Sequence, residues 1–330
     1  MTNDLSVGEQ AAVVLEASRA PSVYNMQPAR WRFADDGSVI LFRAVNRRIP
    51  VADPTGHNLN ASLGAAFEGM AIALSTRGLS LGAPIVETEA AATSCEPVMR
   101  ASIERIPGFE ADPLAEFVAR RRSYRGLFPT ADPADVRRFV ALERPDARLI
   151  IGKGPLADLG TLHDAAMWTL VSRPEFRAER WKWIRLSRSD PRFRRDGLTG
   201  DCLGASMTER WVLSPDQFSL FAAVGLARRF ASEAAKVRSA GAAIVFCPKR
   251  DDAPFDVGRR MYRLWLEITA MGFHVATMSA SVNDESARET LEHQLQLPSD
   301  RRIANVFRVG RIDDAKVAES PRLQVKELMV

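Results

Sequence analysis

Residues 121–125 read Arg-Arg-Ser-Tyr-Arg. In an extended backbone Arg121, Ser123 and Arg125 project to the same side. Guanidinium forks and a hydroxyl so placed can surround a terminal phosphate. Alone, the pentapeptide also reads as a solvated basic turn. A second stretch gives it context: residues 20–28 read Ala-Pro-Ser-Val-Tyr-Asn-Met-Gln-Pro. Its prolines stiffen the loop and hold Ser22, Asn25 and Gln27 ready to hydrogen-bond a flat polar ring. The plain alternative is a helix-to-strand connection.

Outward from these stretches, the spacing predicts a helix over 7–20, ending before Pro21. ARWRFA and SVILFRA flank Asp35-Asp36-Gly37, a hairpin signal. Residues 58–77 carry Leu63, Phe67, Met70 and Leu74 at helical spacing, and 83–103 supplies one or two strands. Asp112-Pro113 opens an expected helix over 112–122, and Asp132-Pro133 another. A strand at 147–152 and helices at 155–171 and 225–238 follow. AAIVFCPK at 242–249 reads as a central strand. Over 256–271, Met261, Leu264, Trp265, Ile268 and Met271 form one helical face, closed by Gly272. FHVATMS at 273–279 is an expected buried strand. A helix near 283–296 takes Asn283 or Asp284 as cap, and IANVFRVG at 303–310 is the last strand. The apolar tail SPRLQVKELMV is expected to dock on another part of the chain. The pattern is α+β.

The chain has 330 residues, 46% hydrophobic and 26% charged, which is ordinary globular composition. That length favours two domains or a fused repeat. Of 45 basic residues 39 are Arg, yet the net charge of +4 is too weak to argue for nucleic acid. No transmembrane helix is expected. The start lacks a basic stretch before its apolar part, so no signal peptide is expected and a cytoplasmic location is. Cys95, Cys202 and Cys247 are far apart, and His57, His163, His274 and His293 are scattered. No metal site is expected. His163 and His274 read as structural, and Cys247 as a small apolar residue.

Residues 173–215 are rich in Arg and Trp and read as an insertion or lid. Within 173–195, 8 Arg and Lys182 face Glu175, Glu179 and Asp190, a net +6, with Phe176, Trp181, Trp183 and Phe193 interleaved. That mixture suits a lid over a cofactor, a surface excursion whose aromatics pack on the core, or single-stranded nucleic acid.

Together the stretches at 121–125 and 20–28 resemble the flavin-binding motifs of the nitroreductase family, an RRSxR-like segment and an APSxxNxQPW-like loop. AAIVFCPK, Ala270-Met271-Gly272 leading into Thr277-Met278-Ser279-Ala280, and Ser320-Pro321-Arg322 also resemble that family's pattern. The order is reversed, because the basic segment usually precedes the loop. In that family each flavin lies at a homodimer interface, with arginines from one subunit and the loop from the other. Fusion of two copies after gene duplication accounts for the reversal and resembles the Acg branch. The chain departs at Ala29, where the family often has Trp, and at Thr277, Ser279 and Ala280, where many members carry Pro, Glu and Gly.

The resemblance implies a nitroreductase-like fold of two fused repeats, residues 1–110 and 111–330, forming an intrachain pseudo-dimer with one flavin site. It implies an FMN-dependent oxidoreductase that takes hydride from NAD(P)H and reduces a nitroaromatic, a quinone or a related small molecule. Little-turnover FMN sequestration is the alternative. Arg121, Ser123 and Arg322 would hold the phosphate, with Arg122 beside them. Arg125 and Lys236 would lie near the N1–C2 edge. Pro21, Ser22, Val23, Asn25 and Gln27 would contact ring or ribityl chain, and Thr277, Met278, Ser279 and Ala280 would pass N5. No catalytic acid or base is implied, no membrane or nucleic-acid partner is expected, and the chain is expected to be a monomer or weak homodimer.

Overall fold

Two antiparallel sheets and a central pair of helices organise the computed structural model, which describes residues 5–88, 94–215, 217–218 and 232–330. The architecture is mixed α+β. Helix α1 (Val7–Ala17) starts on a reciprocal cap between Ser6 and Glu9. The first sheet holds β1 (Ala29–Phe33), β2 (Ser38–Ala44), β3 (Leu79–Leu81), β4 (Ile85–Val86) and β5 (Cys95–Arg105). Its order is β1-β2-β5-β3, with β4 also on β5. Gly37 turns the β1–β2 hairpin at φ 83, where a side chain would be strained.

Helix α2 (His57–Ser75) joins β2 to β3. After β5 come α3 (Pro133–Phe139), β6 (Ala147–Ile150) and α4 (Lys153–Ser172). The Arg/Trp-rich segment contains α5 (Pro174–Trp181), the short parallel pair β7 (Ile184–Arg185) and β8 (Leu198–Thr199), and α6 (Met207–Val212). Helix α7 (Ala234–Arg238) leads into β9 (Ala242–Phe246), α8 (Pro254–Ala270), β10 (His274–Thr277), α9 (Ala280–Asn283), α10 (Glu285–Gln294), β11 (Asn305–Gly310) and α11 (Val325–Leu328). The second sheet runs β10-β11-β9-β6, all antiparallel. The 242–249 stretch is thus an inner strand, as its apolar run predicts.

Helix α8 serves two cores. Val257, Leu264, Trp265 and Ile268 pack on the second sheet, the face its periodicity predicts. Phe255, Tyr262 and Leu266 enter the other core with Leu63, Phe67 and Met70 of α2 and Trp31 and Leu41 of the first sheet. Glycines let α2 and α8 touch. A Cβ on Gly64 would lie 1.8 Å from the Phe255 carbonyl oxygen, and one on Gly258 1.9 Å from that of Ala61. The tail docks, as expected: Leu323 and Leu328 join the first core, and the Val330 N–H donates to the Trp31 carbonyl at 2.9 Å.

One expected helix is absent. Residues 112–122 hold only a 3₁₀ turn at Ala115–Phe117. Asp112 caps Leu114 at 2.9 Å as its position suggests, but it also accepts from Arg263 at 2.6 Å. The chain then straightens so that Ser123 bridges Val275, and the Tyr124 N–H donates to the Val275 carbonyl at 2.9 Å. Pairing with the edge of β10 replaces helical hydrogen bonds. Of the helix expected over 225–238, residues 225–231 lie outside the described residues, and α7 forms its end. Asp284 is the cap of α10, at 2.9 Å from the Ala287 N–H. No helix among the described residues is long and apolar enough to cross a membrane.

Candidate functional site

The 20–28 loop has an uncommon backbone. Tyr24, Asn25 and Gln27 adopt φ of 48, 55 and 52, a left-handed region that non-glycine residues rarely enter. Side-chain hydrogen bonds hold it there. The Ser22 hydroxyl accepts from the Gln27 N–H at 2.9 Å. Asn25 Nδ2 donates to the Pro321 carbonyl at 2.9 Å, and its Oδ1 accepts from Arg322 at 2.6 Å. Gln27 donates to the Arg195 carbonyl at 2.9 Å and accepts from the Leu323 N–H at 2.9 Å. Strain held this firmly clusters at functional sites.

The loop forms one wall of a cavity, through Pro21, Ser22, Val23 and Asn25. Arg121, Ser123 and Arg125 line it from the straightened segment, Thr277, Ser279 and Ala280 from the end of β10, and Arg322 from the tail. The distant motif residues therefore meet at one place. Four of the expected site residues stand elsewhere. Gln27 lies behind the loop, in the contacts just given. Lys236 pairs with Glu233 at 3.4 Å, and Met278 is buried beneath the second sheet. Arg122 faces an outer cleft and donates to the Val317 carbonyl at 3.2 Å.

The cavity is positively charged. Among the described residues, no carboxylate pairs with Arg121, Arg125 or Arg322. Arg121 and Arg322 both donate to the Arg19 carbonyl, at 3.0 and 3.2 Å, and each keeps a buried Nε without a partner. Arg121 also stacks 4.6 Å from the Trp265 ring. Burial lowers the pKa of all three guanidiniums, and with Arg121 alongside, Arg322 is pushed down to about 9. Buried cations without counter-charges cost free energy that an anion would offset. The orphaned Nε atoms, the hydroxyl of Ser123 and the surplus charge fit the phosphate of a flavin mononucleotide.

Two charged residues at this cavity escape a motif reading. Arg308, 2% exposed on β11, donates to the carbonyls of Gly126 at 2.9 Å and Tyr124 at 3.2 Å. It thereby fixes the Arg-rich segment to the sheet, and burial pushes it down to about 10. A charged residue inside the apolar run NVFRVG is the signal that could have found it. Glu233 lies 3.6 Å from His163 and near Lys236. Burial opposes its ionisation, but His163, Lys236 and Arg308 outweigh burial and hold it well below the usual carboxylate range. His163 bonds the Ser281 hydroxyl at 2.8 Å. His274 lies 3.2 Å from Asp314, away from the cavity lining.

The Arg/Trp-rich segment covers one side. Phe176, Arg180, Leu198 and Leu203 line the cavity. Glu179 on α5 accepts from the Val51 and Ala52 N–H groups at 3.0 and 2.8 Å. Asp196, 1% exposed, meets Arg47 and Arg185 at 3.0 Å and Arg192 at 2.5 Å. Trp183 packs with Met26 and Ile49. Phe176, Trp181 and Trp183 thus pack on the core while Trp211 stays exposed, and several of the segment's arginines are matched by acids. Among the described residues, no group of three His, Cys, Asp or Glu side chains could hold a metal ion.

Comparison by sequence finds no matching protein family and no matching curated protein. Comparison of structures finds similar chains. A candidate nitroreductase from Anabaena variabilis is 10% identical with a TM-score of 0.43, spanning 94% of this chain and 90% of its own. The FMN-dependent nitroreductase NfnB from Mycobacterium smegmatis, solved with NADPH, is 18% identical with a TM-score of 0.36, over 65% of this chain and 96% of its own. A nitroreductase with bound FMN from Bacteroides fragilis is 11% identical with a TM-score of 0.36, over 64% and 95%.

Proposed function

We propose that this chain is an FMN-dependent oxidoreductase of the nitroreductase type, taking hydride from NAD(P)H and reducing a nitroaromatic, a quinone or a related acceptor. The observation that carries the reading is the convergence of Arg121, Arg125 and Arg322, without carboxylate partners among the described residues, on the cavity walled by the strained 20–28 loop. Bound there, a flavin supplies reversible two-electron hydride chemistry.

The protein's part is binding and orientation. Arg121, Ser123 and Arg322 hold the phosphate, and Arg125 places positive charge on the cavity wall. Pro21, Ser22, Val23 and Asn25 shape one side, with Gln27 bracing them from behind, and Thr277, Ser279 and Ala280 shape another. The segment over α5 limits water. Two fused repeats, 1–110 and 111–330, account for the two sheets and for the reciprocal glycine contacts between α2 and α8.

Anaerobic stopped-flow mixing of the flavin-loaded protein with NADH and with NADPH tests this function. Rapid bleaching of the flavin absorbance by either donor is the expected result. Flavin that binds and stays oxidised with both favours sequestration, the reading that the changed residues at 277–280 motivate.

A further inference from the structure

Most arginines of the Arg/Trp-rich segment have partners. Arg173 pairs with Glu175 at 3.0 Å, and Arg177 donates to the Val171 and Ser172 carbonyls at 2.8 and 2.9 Å. Arg185 and Arg192 are held by Asp196, Arg188 by Asp201 and Arg195 by Glu327. The Arg180 guanidinium is different. It is half-buried, lines the inner cavity, and has neither an acid nor a carbonyl as partner among the described residues. Its neighbour Glu179 is already taken by the Val51 and Ala52 N–H groups. Glu233, the one carboxylate among the described lining residues, is taken by Lys236 and His163. Apolar side chains of the same wall surround Arg180: Met167 and Leu170 on α4 and Phe176 on α5, packed in one cluster. Tyr24 of the strained loop also lines the cavity. Burial raises the pKa of its hydroxyl and Arg180 pulls the other way, so at neutral pH the phenol keeps its proton to donate.

We propose that Arg180, with Tyr24 near it, binds a carboxylate on the electron acceptor, whose aromatic body lies against Phe176, Leu170 and Met167. This rests on the flavin reading of the same cavity and narrows its acceptor to an aromatic compound that carries a carboxylate. The flavin reading gives tasks to Arg121, Arg125 and Arg322, and Arg308 is spent on the carbonyls of Gly126 and Tyr124. Arg180 is the cavity arginine left over. Its planar fork matches a carboxylate through two parallel hydrogen bonds. Helix α5 is tied down at Glu179, so the fork is placed before the acceptor arrives. A neutral acceptor leaves the fork unpaired at a closed wall, and sites built this way reject ligands that lack the matching group. One cation among apolar side chains suits a singly charged carboxylate better than the several phosphate charges of a dinucleotide donor.

Oxidised, FMN-loaded protein should be titrated with para-nitrobenzoate and with the uncharged para-nitrobenzyl alcohol, in the wild type, Arg180→Gln and Arg180→Lys. Tryptophan fluorescence and the flavin absorbance band report binding without turnover. The expected result is para-nitrobenzoate binding about 10-fold tighter than the alcohol in the wild type. Arg180→Gln should erase that preference by weakening the carboxylate alone, and Arg180→Lys should keep part of it. A flavin content equal to the wild type's shows that the variants fold. Equal binding of the two compounds by the wild type, or a preference that survives Arg180→Gln, overturns the proposal while leaving the flavin reading standing. A wild type that takes up no flavin overturns the flavin reading, and this proposal with it.

Discussion

Arg322 donates a hydrogen bond to Asn25 Oδ1 at 2.6 Å, joining residues 297 positions apart at the cavity wall. Asn25 also holds φ 55, which Asn tolerates better than other non-glycine residues. Asn25→Ala removes the acceptor, the donor to Pro321 and the backbone tolerance together. It should weaken flavin binding at least 10-fold and cost about 1–3 kcal/mol of stability. Asn25→Gly keeps the backbone tolerance and should recover part of the stability but not the flavin affinity. Flavin titration and thermal melts of the pair separate the two contributions.

The helix crossing gives a second prediction. Gly258→Ala places a Cβ 1.9 Å from the Ala61 carbonyl oxygen, between two helix backbones that cannot both yield. It should destabilise by more than about 3 kcal/mol, because overpacking here meets backbone rather than a mobile side chain. Gly8→Ala, with nothing within 4 Å of the new Cβ, should leave the melting temperature unchanged or raise it. Equal melting temperatures for the two variants would contradict the close approach of α2 and α8.

Asp196 supplies the pH dependence. Burial disfavours its charge, but Arg192, Arg47 and Arg185 outweigh burial and lower its pKa below the ordinary 3.8. A carboxyl with a depressed folded pKa contributes stability that is present above its unfolded value and is lost as pH falls through the folded one. The contribution is therefore complete at neutral pH and declines below about pH 4. Asp196→Asn should cost about 3–5 kcal/mol at pH 7, since it strands buried guanidiniums, and should flatten the acid limb. Urea melts from pH 3 to pH 7 measure both.

The surplus charge predicts an anion effect without any flavin. Inorganic phosphate that binds only the folded state should stabilise the flavin-free protein by about 2.7 kcal/mol at a concentration 100-fold above its Kd, and so raise its melting temperature. Arg322→Ala should abolish most of that shift. Phosphate stabilisation that survives Arg322→Ala would move the anion away from Arg121 and Arg322.

Much of this was legible in the sequence, for local reasons. The Asp35-Asp36-Gly37 hairpin, the Pro133 helix start and the Gly272 stop depend on neighbouring residues, and each stands where its signal lies. The 121–125 and 20–28 stretches are contiguous motifs, so their residues could be named although only the fold brings them together. The expected 112–122 helix failed because pairing with Val275, 152 positions on from Ser123, outweighs local helix signals. The second buried face of α8 was hidden because a helix between two cores no longer shows a single stripe. Gln27 and Lys236 belong to no contiguous signal that foretells their contacts with Leu323 and Glu233, which form only in the fold. Glu233 and Arg308 carry no motif, and their importance arises from partners far away in sequence.

The central claim is a flavin held by arginines that lack carboxylate partners among the described residues, and flavin titration tests it most directly. Wild-type protein, stripped and then titrated while its absorbance near the flavin band is followed, should take up one flavin per chain. Arg121→Ala with Arg125→Ala should take up none at the same concentrations, and should melt below the flavin-loaded wild type. A colourless wild type that refuses added FMN, or a double variant with undiminished flavin, would contradict the account.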